Sequence, residues 1–434
     1  MRTVRIETFG CKVNQYESEY MAEQLEKAGY VVLPEGNADY YIVNSCAVTQ
    51  EVEKKVRRFI KNVRKNNKES KIVLTGCFAQ LFPNEAKKLP VDMILGISEK
   101  KNIVDYLLSM NGKKRIFVSE PNSPVYEKVK GSFEDRTRSY IKVEDGCDNA
   151  CTYCAIRHAR GTKIRSKPIE IFREEFLKMV MKGYKEIVIT GVNLGRYGKD
   201  LGTDLVELVK SVENIPGDYR IRFSSINVED VTDRILDLFK SNPRICHHLH
   251  ISVQSGSDNV LKRMGRRYKV SDFVRVVEKL RDLDPDFSIT TDIIVGFPGE
   301  TEEDFLRTVK LVEEVEFSRV HIFRYSPRPG TPASKFNGVV PEDEKKERMR
   351  FLKEKARETS RRYKRKIVGK ERRVLAEWYV TKGVLSGYDE YYIKHEFVGE
   401  GVGMFHDVKV KSLSEEGVIS CRVNMVERKV SSRK

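Results

Sequence analysis

Three cysteines crowded onto one loop, Cys147-Asp-Asn-Ala-Cys151-Thr-Tyr-Cys154, constrain this chain more than any other feature. Their C-x3-C-x2-C run follows a glycine and a stretch with strand character. A closed structural zinc site takes four protein ligands, so three thiolates fall short unless His158 or a distant side chain completes the set. Soft thiolates also suit an iron–sulfur cluster, and a cluster held by three cysteines leaves one iron open to an exogenous ligand. An open iron points to chemistry on a bound small molecule.

The chain around that loop is an α/β multidomain sequence of 434 residues, a length that suits about three domains. Residues 1–120 read as an open parallel α/β sheet. Strands Val4–Phe9, Tyr40–Asn44 and Lys71–Thr75 alternate with helical patterns carried by Met21, Leu25 and Ala28, then by Val56, Phe59, Ile60 and Val63. Each strand runs into a cysteine: Cys11, Cys46 and Cys77. Parallel strands joined by helices bring their carboxyl ends to one edge, so these cysteines are expected to lie close together as a second metal site. Buried thiols are the plainer alternative, because cysteine is often core.

A charged stretch with Ser and Pro, residues 119–137, reads as a linker. In residues 137–366, six strand candidates alternate with helices such as Ile169–Gly183 and Val270–Leu283. The strands are Ser139–Glu144, Lys185–Thr190, Tyr219–Ser225, His248–Gln254, Phe287–Val295 and Arg319–Tyr325. This repetition predicts a partial (β/α)6 barrel with its site at the C-terminal ends of the strands, where the thiol loop falls. A charged helix from Pro341 ends in the basic run Arg361–Lys366. Residues 368–434 carry short, glycine-broken strands over 374–380, 390–398, 407–411 and 418–423. They predict a small antiparallel OB-like barrel, a common platform for single-stranded nucleic acid. Trp378, Tyr391, Tyr392 and Phe405 are candidates for base stacking, with at least half expected in the barrel core.

Composition narrows the partners. The formal charge of +16 favours an anionic partner, nucleic acid ahead of membrane, over a merely solvated Lys/Glu surface. The first residues alternate like a strand instead of forming a secretory leader, and no stretch is apolar enough for a membrane span. Eight cysteines with three in a metal-like run fit a reducing cytoplasm.

The thiol triplet after a barrel strand resembles the cluster motif of the radical S-adenosylmethionine (SAM) superfamily. Thr8–Glu17, Asn44–Thr49, Thr75–Cys77, Thr190–Gly195, Ile251–Ser257 and Asp292–Thr301 are similar to motifs of its methylthiotransferase family. The likeness covers essentially the whole chain, including a C-terminal TRAM domain. Lys12-Val-Asn-Gln-Tyr16 resembles the branch acting on N6-threonylcarbamoyladenosine beside the tRNA anticodon, more than the isopentenyladenosine or ribosomal-protein branches.

The resemblance implies two 4Fe-4S clusters, one on Cys147, Cys151 and Cys154 and one on Cys11, Cys46 and Cys77. It implies SAM on the open iron, with Tyr153 beside the adenine. Asn193 and Ser225 would contact the methionine or ribose region, and Gln254, Ile294 and Gly296 the adenosine side. It further implies a 5'-deoxyadenosyl radical, the tRNA anticodon loop as substrate and a reductant such as flavodoxin or ferredoxin. Ile156-Arg-His-Ala-Arg-Gly161 and Ser224–Glu229 depart from the commoner family forms, though neither touches a cluster ligand. The competing reading from another class is a non-catalytic iron–sulfur protein that binds RNA or senses redox state.

Other motifs read as structure. His248 and His250 alternate along a strand and are expected inside the barrel or packed, not on a metal. Cys246 and Cys421 read as packed thiols, and Gly399–Gly403 as a turn region without the strand-to-helix context of a phosphate loop.

Overall fold

The computed structural model describes residues 2–47, 50–122, 124–131 and 137–423. The motif Asn44–Thr49 therefore runs out of the described residues after Ala47, and residues 424–434 of the last segment also lie outside them.

The first unit is a six-stranded parallel sheet of β1 (Thr3–Phe9), β2 (Val31–Leu33), β3 (Tyr40–Ser45), β4 (Lys71–Gly76), β5 (Met93–Leu95) and β6 (Arg115–Phe117). Its order is β2-β1-β3-β4-β5-β6. Runs such as Tyr41–Val43 and Ile72–Leu74 are buried on both faces, as a helix-covered parallel sheet requires. The three strands that carry cysteines were legible in sequence. β2, β5 and β6 were not, since three residues are too few to show a period.

The second unit begins with β7 (Arg138–Asp145) and the two-residue β8 (Arg165–Ser166). It continues with β9 (Glu186–Gly191), β10 (Arg220–Phe223) and β11 (Ser225–Ile226), then β12 (His248–Ile251), β13 (Ser288–Val295) and β14 (Arg319–Arg324). These form two four-stranded sheets, β10-β9-β7-β8 and β11-β12-β13-β14. The expected strand Tyr219–Ser225 is split: β10 pairs with β9, while Ser225 has crossed to pair with His250 of β12. That split is the seam between the sheets of the partial barrel. Side chains alternate along each strand. Ile141, Ile187, Ile221, Leu249 and Ile293 point outward into a core shared with Phe172, Phe239 and Phe273. The opposite set, including Lys142, Thr190, Arg222, His248, Thr290 and His321, faces the barrel interior.

The third unit is a closed five-stranded barrel of β15 (Glu371–Thr381), β16 (Val384–Tyr388), β17 (Lys394–Val398), β18 (Phe405–Leu413) and β19 (Val418–Arg422). It is antiparallel except for β17 and β19, which pair in parallel. The expected strand over 390–398 starts only at Lys394. Before it, residues 389–392 turn, with Tyr392 at φ 64°. Trp378 is partly exposed, whereas Tyr391 hydrogen-bonds Asp284 and Tyr392 packs on His248.

That turn closes the floor of the central barrel. Arg138, Glu186, Arg220 and His248 each begin a strand, so they sit at the N-terminal ends. Glu186 is fully buried and accepts from Arg220 at 2.6 Å and Arg222 at 2.8 Å, with Arg138 also on it. Arg220 donates to the Tyr388 carbonyl at 2.8 Å and Arg222 to the Asp389 carbonyl at 2.9 Å. The stacked rings of Tyr388 and Tyr392 lie under Arg138. Among the described residues, no helix is long and apolar enough to cross a membrane.

Removing Glu186 would leave three desolvated guanidiniums facing one another. Glu186→Ala is expected to cost about 3–5 kcal/mol in denaturant unfolding, the usual penalty for orphaning a buried ion-pair partner. Acid acts at a second contact between the units. Burial opposes ionisation of Asp284, but hydrogen bonds from His247 and Tyr391 win and lower its pKa to about 2. Its contribution is therefore full above an unfolded value of about 3.9 and is lost as pH falls toward 2. Asp284→Asn is expected to flatten that acid limb by about 1–2 kcal/mol after solvent screening, read from unfolding midpoints against pH.

Candidate functional site

At the end of β1, Gly10 leaves room for Asn14 to fold back beneath the chain, where a Cβ would lie 2.6 Å from its side chain. Cys11 then caps α1 (Lys12–Lys27), and its thiol contacts the Asn14 amide oxygen at 3.3 Å. Cys46 follows β3 directly. Cys77 follows β4 and opens a short helix, α2 (Cys77–Leu81). β1, β3 and β4 are neighbours in register, with Phe9 opposite Ser45 and Ser45 opposite Gly76, so the three thiols share one edge. Asn14 donates to the Asn44 side-chain oxygen at 3.1 Å, and Asn44 returns a bond to the Asn14 carbonyl at 2.9 Å. These two side chains tie the loops that carry Cys11 and Cys46.

The second thiol group follows β7. Gly146 has φ 99°, and a Cβ there would lie 2.0 Å from the Lys163 carbonyl oxygen, so only glycine lets the chain turn into Cys147. The loop is then stapled from outside: Cys147 N–H to Gly161 O at 3.1 Å, Thr152 N–H to Met264 O at 2.9 Å, and Ala333 N–H to Thr152 O at 2.9 Å. Tyr153 accepts from Arg266 at 2.7 Å and meets Phe297 edge to face. His158, the one local alternative ligand, is exposed.

The two groups face each other. The triplet runs into α3 (Ile156–Arg160), whose Ala159 packs in one core cluster with Cys77, Phe78 and Ala79 of α2. Arg160, 1% exposed, crosses the gap. It donates to Glu17 at 2.6 and 3.1 Å and to Asp145 at 3.0 Å, while Lys100 joins Glu17 and Asn44. Burial alone would raise the Glu17 carboxyl, yet Arg160, Lys100 and Lys142 together hold it well below its ordinary value. On the far side Arg328 donates to the Ala47 carbonyl at 2.7 Å and pairs with Glu53.

No three His, Cys, Asp or Glu side chains among the described residues gather closely enough for one metal ion. Cluster ligands bind different irons and stand further apart than ligands of a single ion. The donor set suits such a group. Burial pushes the Cys147 thiol up to about 12 and raises Cys154 and Cys77 as well. Thiolates in such dry surroundings need iron-like positive charge against them.

Above the barrel interior lie polar atoms with no hydrogen-bond partner among the described residues: Glu144 Oε1, Asn193 Nδ2 and Ser224 Oγ. Glu144 is fully buried, which raises its pKa well above normal, and it accepts the Asn193 N–H at 2.6 Å. Gln254 has φ 69° where β12 meets β13. Ile294 packs beside Tyr153, Phe297 and Tyr325. Ser225 is exposed, whereas its neighbour Ser224 is buried. Gly296 has φ 70°, and a Cβ there would strike Lys345. Sequence reasoning missed Glu144, Arg160 and Lys100. The first two lie within eight residues of the triplet, but nothing in their spacing marks Glu144 as a buried carboxyl with an unpaired oxygen or Arg160 as the partner of Glu17.

The fold and its paired thiol sites define a radical SAM enzyme. Residues 141–312 match the radical SAM superfamily model, and residues 3–96 match the model described as uncharacterized protein family UPF0004. The chain is 77% identical over 433 residues, all of both chains, to threonylcarbamoyladenosine tRNA methylthiotransferase MtaB of Thermotoga maritima. It is 36% identical to MtaB of Bacillus subtilis, covering 95% of this chain and 94% of that one. It is 38% identical to tRNA-2-methylthio-N(6)-dimethylallyladenosine synthase of Clostridium botulinum, covering 86% and 85%. The chain belongs to the radical SAM methylthiotransferase family, in its MtaB branch. The solved radical SAM methyltransferase TsrM of Kitasatospora setae shares the fold, with TM-score 0.55 at 14% identity over 77% of each chain.

Gly76 has φ 94°, and a Cβ there would lie 2.3 Å from the Ser45 carbonyl oxygen. Gly76→Ala is expected to lose more than about 2 kcal/mol of unfolding free energy. Gly183→Ala, at φ 85° with open space around it, should lose only about 1–2, the left-handed penalty alone.

Proposed function

We propose that this protein is a tRNA methylthiotransferase that inserts sulfur and a methyl group at C2 of N6-threonylcarbamoyladenosine beside the anticodon. The observation that carries this reading is the opposition of two three-thiol edges across the contact of α2 with α3. Cys147, Cys151 and Cys154 would hold one 4Fe-4S cluster with SAM on its open iron, and Cys11, Cys46 and Cys77 a second. When bound, these groups supply one-electron cleavage of SAM and delivery of sulfur, chemistry no side chain performs.

The protein supplies placement. Arg266 fixes the Tyr153 ring beside the triplet. Glu144, Asn193 and Ser224 offer unpaired polar atoms to the amino-acid and ribose parts of SAM, with Ser224 better placed than the exposed Ser225. Gln254 and Ile294 line the adenosine side, where the positive φ of Gly296 turns the chain. Thiol edges that face one gap would make successive steps on the groups they hold unimolecular.

A groove of about 350 Å³ between β14, the helix Glu342–Arg365 and the small barrel suits the RNA backbone. Arg319, Lys353, Arg357, Lys364 and Lys394 line it. Burial lowers Lys364 to about 8, with Arg319 and Arg361 adding to the shift, and a phosphate would reverse that. Loop bases that splay from the stack are the usual targets of RNA readers. The enzyme would work in the cytoplasm with a reductant such as flavodoxin or ferredoxin.

Anaerobic reconstitution tests the reading. Iron and sulfide analysis with Mössbauer spectra should find two clusters in wild type. One cluster should remain in each triple alanine variant, Cys147/Cys151/Cys154 and Cys11/Cys46/Cys77. Nucleoside mass spectrometry should find the 2-methylthio product on threonylcarbamoylated tRNA with wild type alone. A full cluster complement in the N-terminal variant would remove the second site and the sulfur-insertion reading with it.

A further inference from the structure

The floor of the central barrel carries more positive charge than its carboxylates absorb. Arg222, 1% exposed, gives Nε and Nη2 to Glu186 and Asp389, and its Nη1 has no partner among the described residues. His248, 3% exposed, bonds Thr290 through Nε2 at 3.0 Å, and its Nδ1 has no partner either. Both side chains contact the Tyr392 ring, Arg222 at 4.7 Å and His248 at 4.9 Å from its centre.

Lys12 opens α1 and is half-buried. Its ammonium acts electrostatically on His248, His321 and Tyr392, yet it makes no hydrogen bond or salt bridge among the described residues. The nearby carboxylates are already engaged. Glu186 is shared by three arginines, Glu377 pairs with Arg138, and Asp292 pairs with His250. Arg222 Nη1 and His248 Nδ1, both buried without a partner beside a half-buried lysine, suit an anion, because a buried polar atom is costly to leave bare.

We propose that Lys12, Arg222 and His248 form a carboxylate pocket that receives the threonyl carboxylate of the modified adenosine. This rests on the function proposed above and adds the basis of its selectivity. An adenosine with a hydrocarbon on N6 brings no charge and would leave Arg222 Nη1 and His248 Nδ1 unpaired. A site built to pair a polar group rejects analogues lacking it far more strongly than an apolar pocket rejects extra carbon.

The test measures binding of anticodon stem-loop RNA to the reconstituted holoenzyme with SAM present, without turnover. Wild type is expected to bind RNA carrying the threonylcarbamoyl group about tenfold or more tighter than the same RNA bearing an isopentenyl group or plain adenosine. Lys12→Met should bring that ratio close to one, and Lys12→Arg should keep most of it. RNA whose threonyl carboxylate is a methyl ester should lose the preference on wild-type protein, an arm that needs no variant to fold. Retained preference in Lys12→Met, or ester RNA bound as tightly as the free acid, overturns the pocket. A wild type that prefers the isopentenyl RNA, or has no preference, overturns the substrate assignment itself.

Discussion

The ion pairs of Glu17 with Arg160 and Lys100 hold the rest of this molecule in place. Glu17 lies on the helix that Cys11 caps, and Arg160 ends the helix that follows Cys154. One buried carboxylate thus fixes the distance between the two thiol edges. Ion pairs inside proteins gain little net stability, because desolvation consumes most of the attraction. They do impose a unique geometry, since any sliding of one unit on the other strands a charge. Oil-like packing between the sheet and the barrel would tolerate such sliding. A reaction passing between two metal groups would not.

A similar division recurs at the barrel floor. There Glu186 gathers three arginines, two of which reach carbonyls of the turn at 388–389. Apolar side chains outside the strands supply cohesion, through a core that runs from Ile141 to Phe317. Charged side chains inside the strands set orientation. The interior is largely polar, Val188 and Ile294 aside, whereas a packed (β/α)8 barrel fills its centre with branched apolar residues. A lumen of arginine, histidine and threonine is one meant to hold something other than itself.

Much of this was legible in the sequence. The parallel strands ending at Cys11, Cys46 and Cys77 announced a shared edge, because topology alone brings strand ends together. The six barrel strands and the thiol loop after the first were equally plain. Less legible was whatever depended on pairing between distant segments. The seam between Phe223 and Ser225 leaves no mark on a continuous apolar run. The parallel partnership of Lys394–Val398 with Val418–Arg422 cannot be read from alternation, which is the same for either direction. Glu17 and Arg160 each look like ordinary surface charges until folding buries both. Tyr392 was a candidate base-stacking ring, yet the strand expected around it proved to be a turn aimed at the barrel floor.

That turn has a consequence for how the units evolve. The small barrel is a closed five-stranded unit of its own. Here its residues 388–392 are the bottom wall of the barrel chamber, with Arg138 and Arg222 on their rings and Arg220 on the Tyr388 carbonyl. Grafting the equivalent unit from a relative would uncork that chamber to water unless the matching arginines travelled with it. The small barrel and the floor of the central barrel are therefore inherited together, as one part.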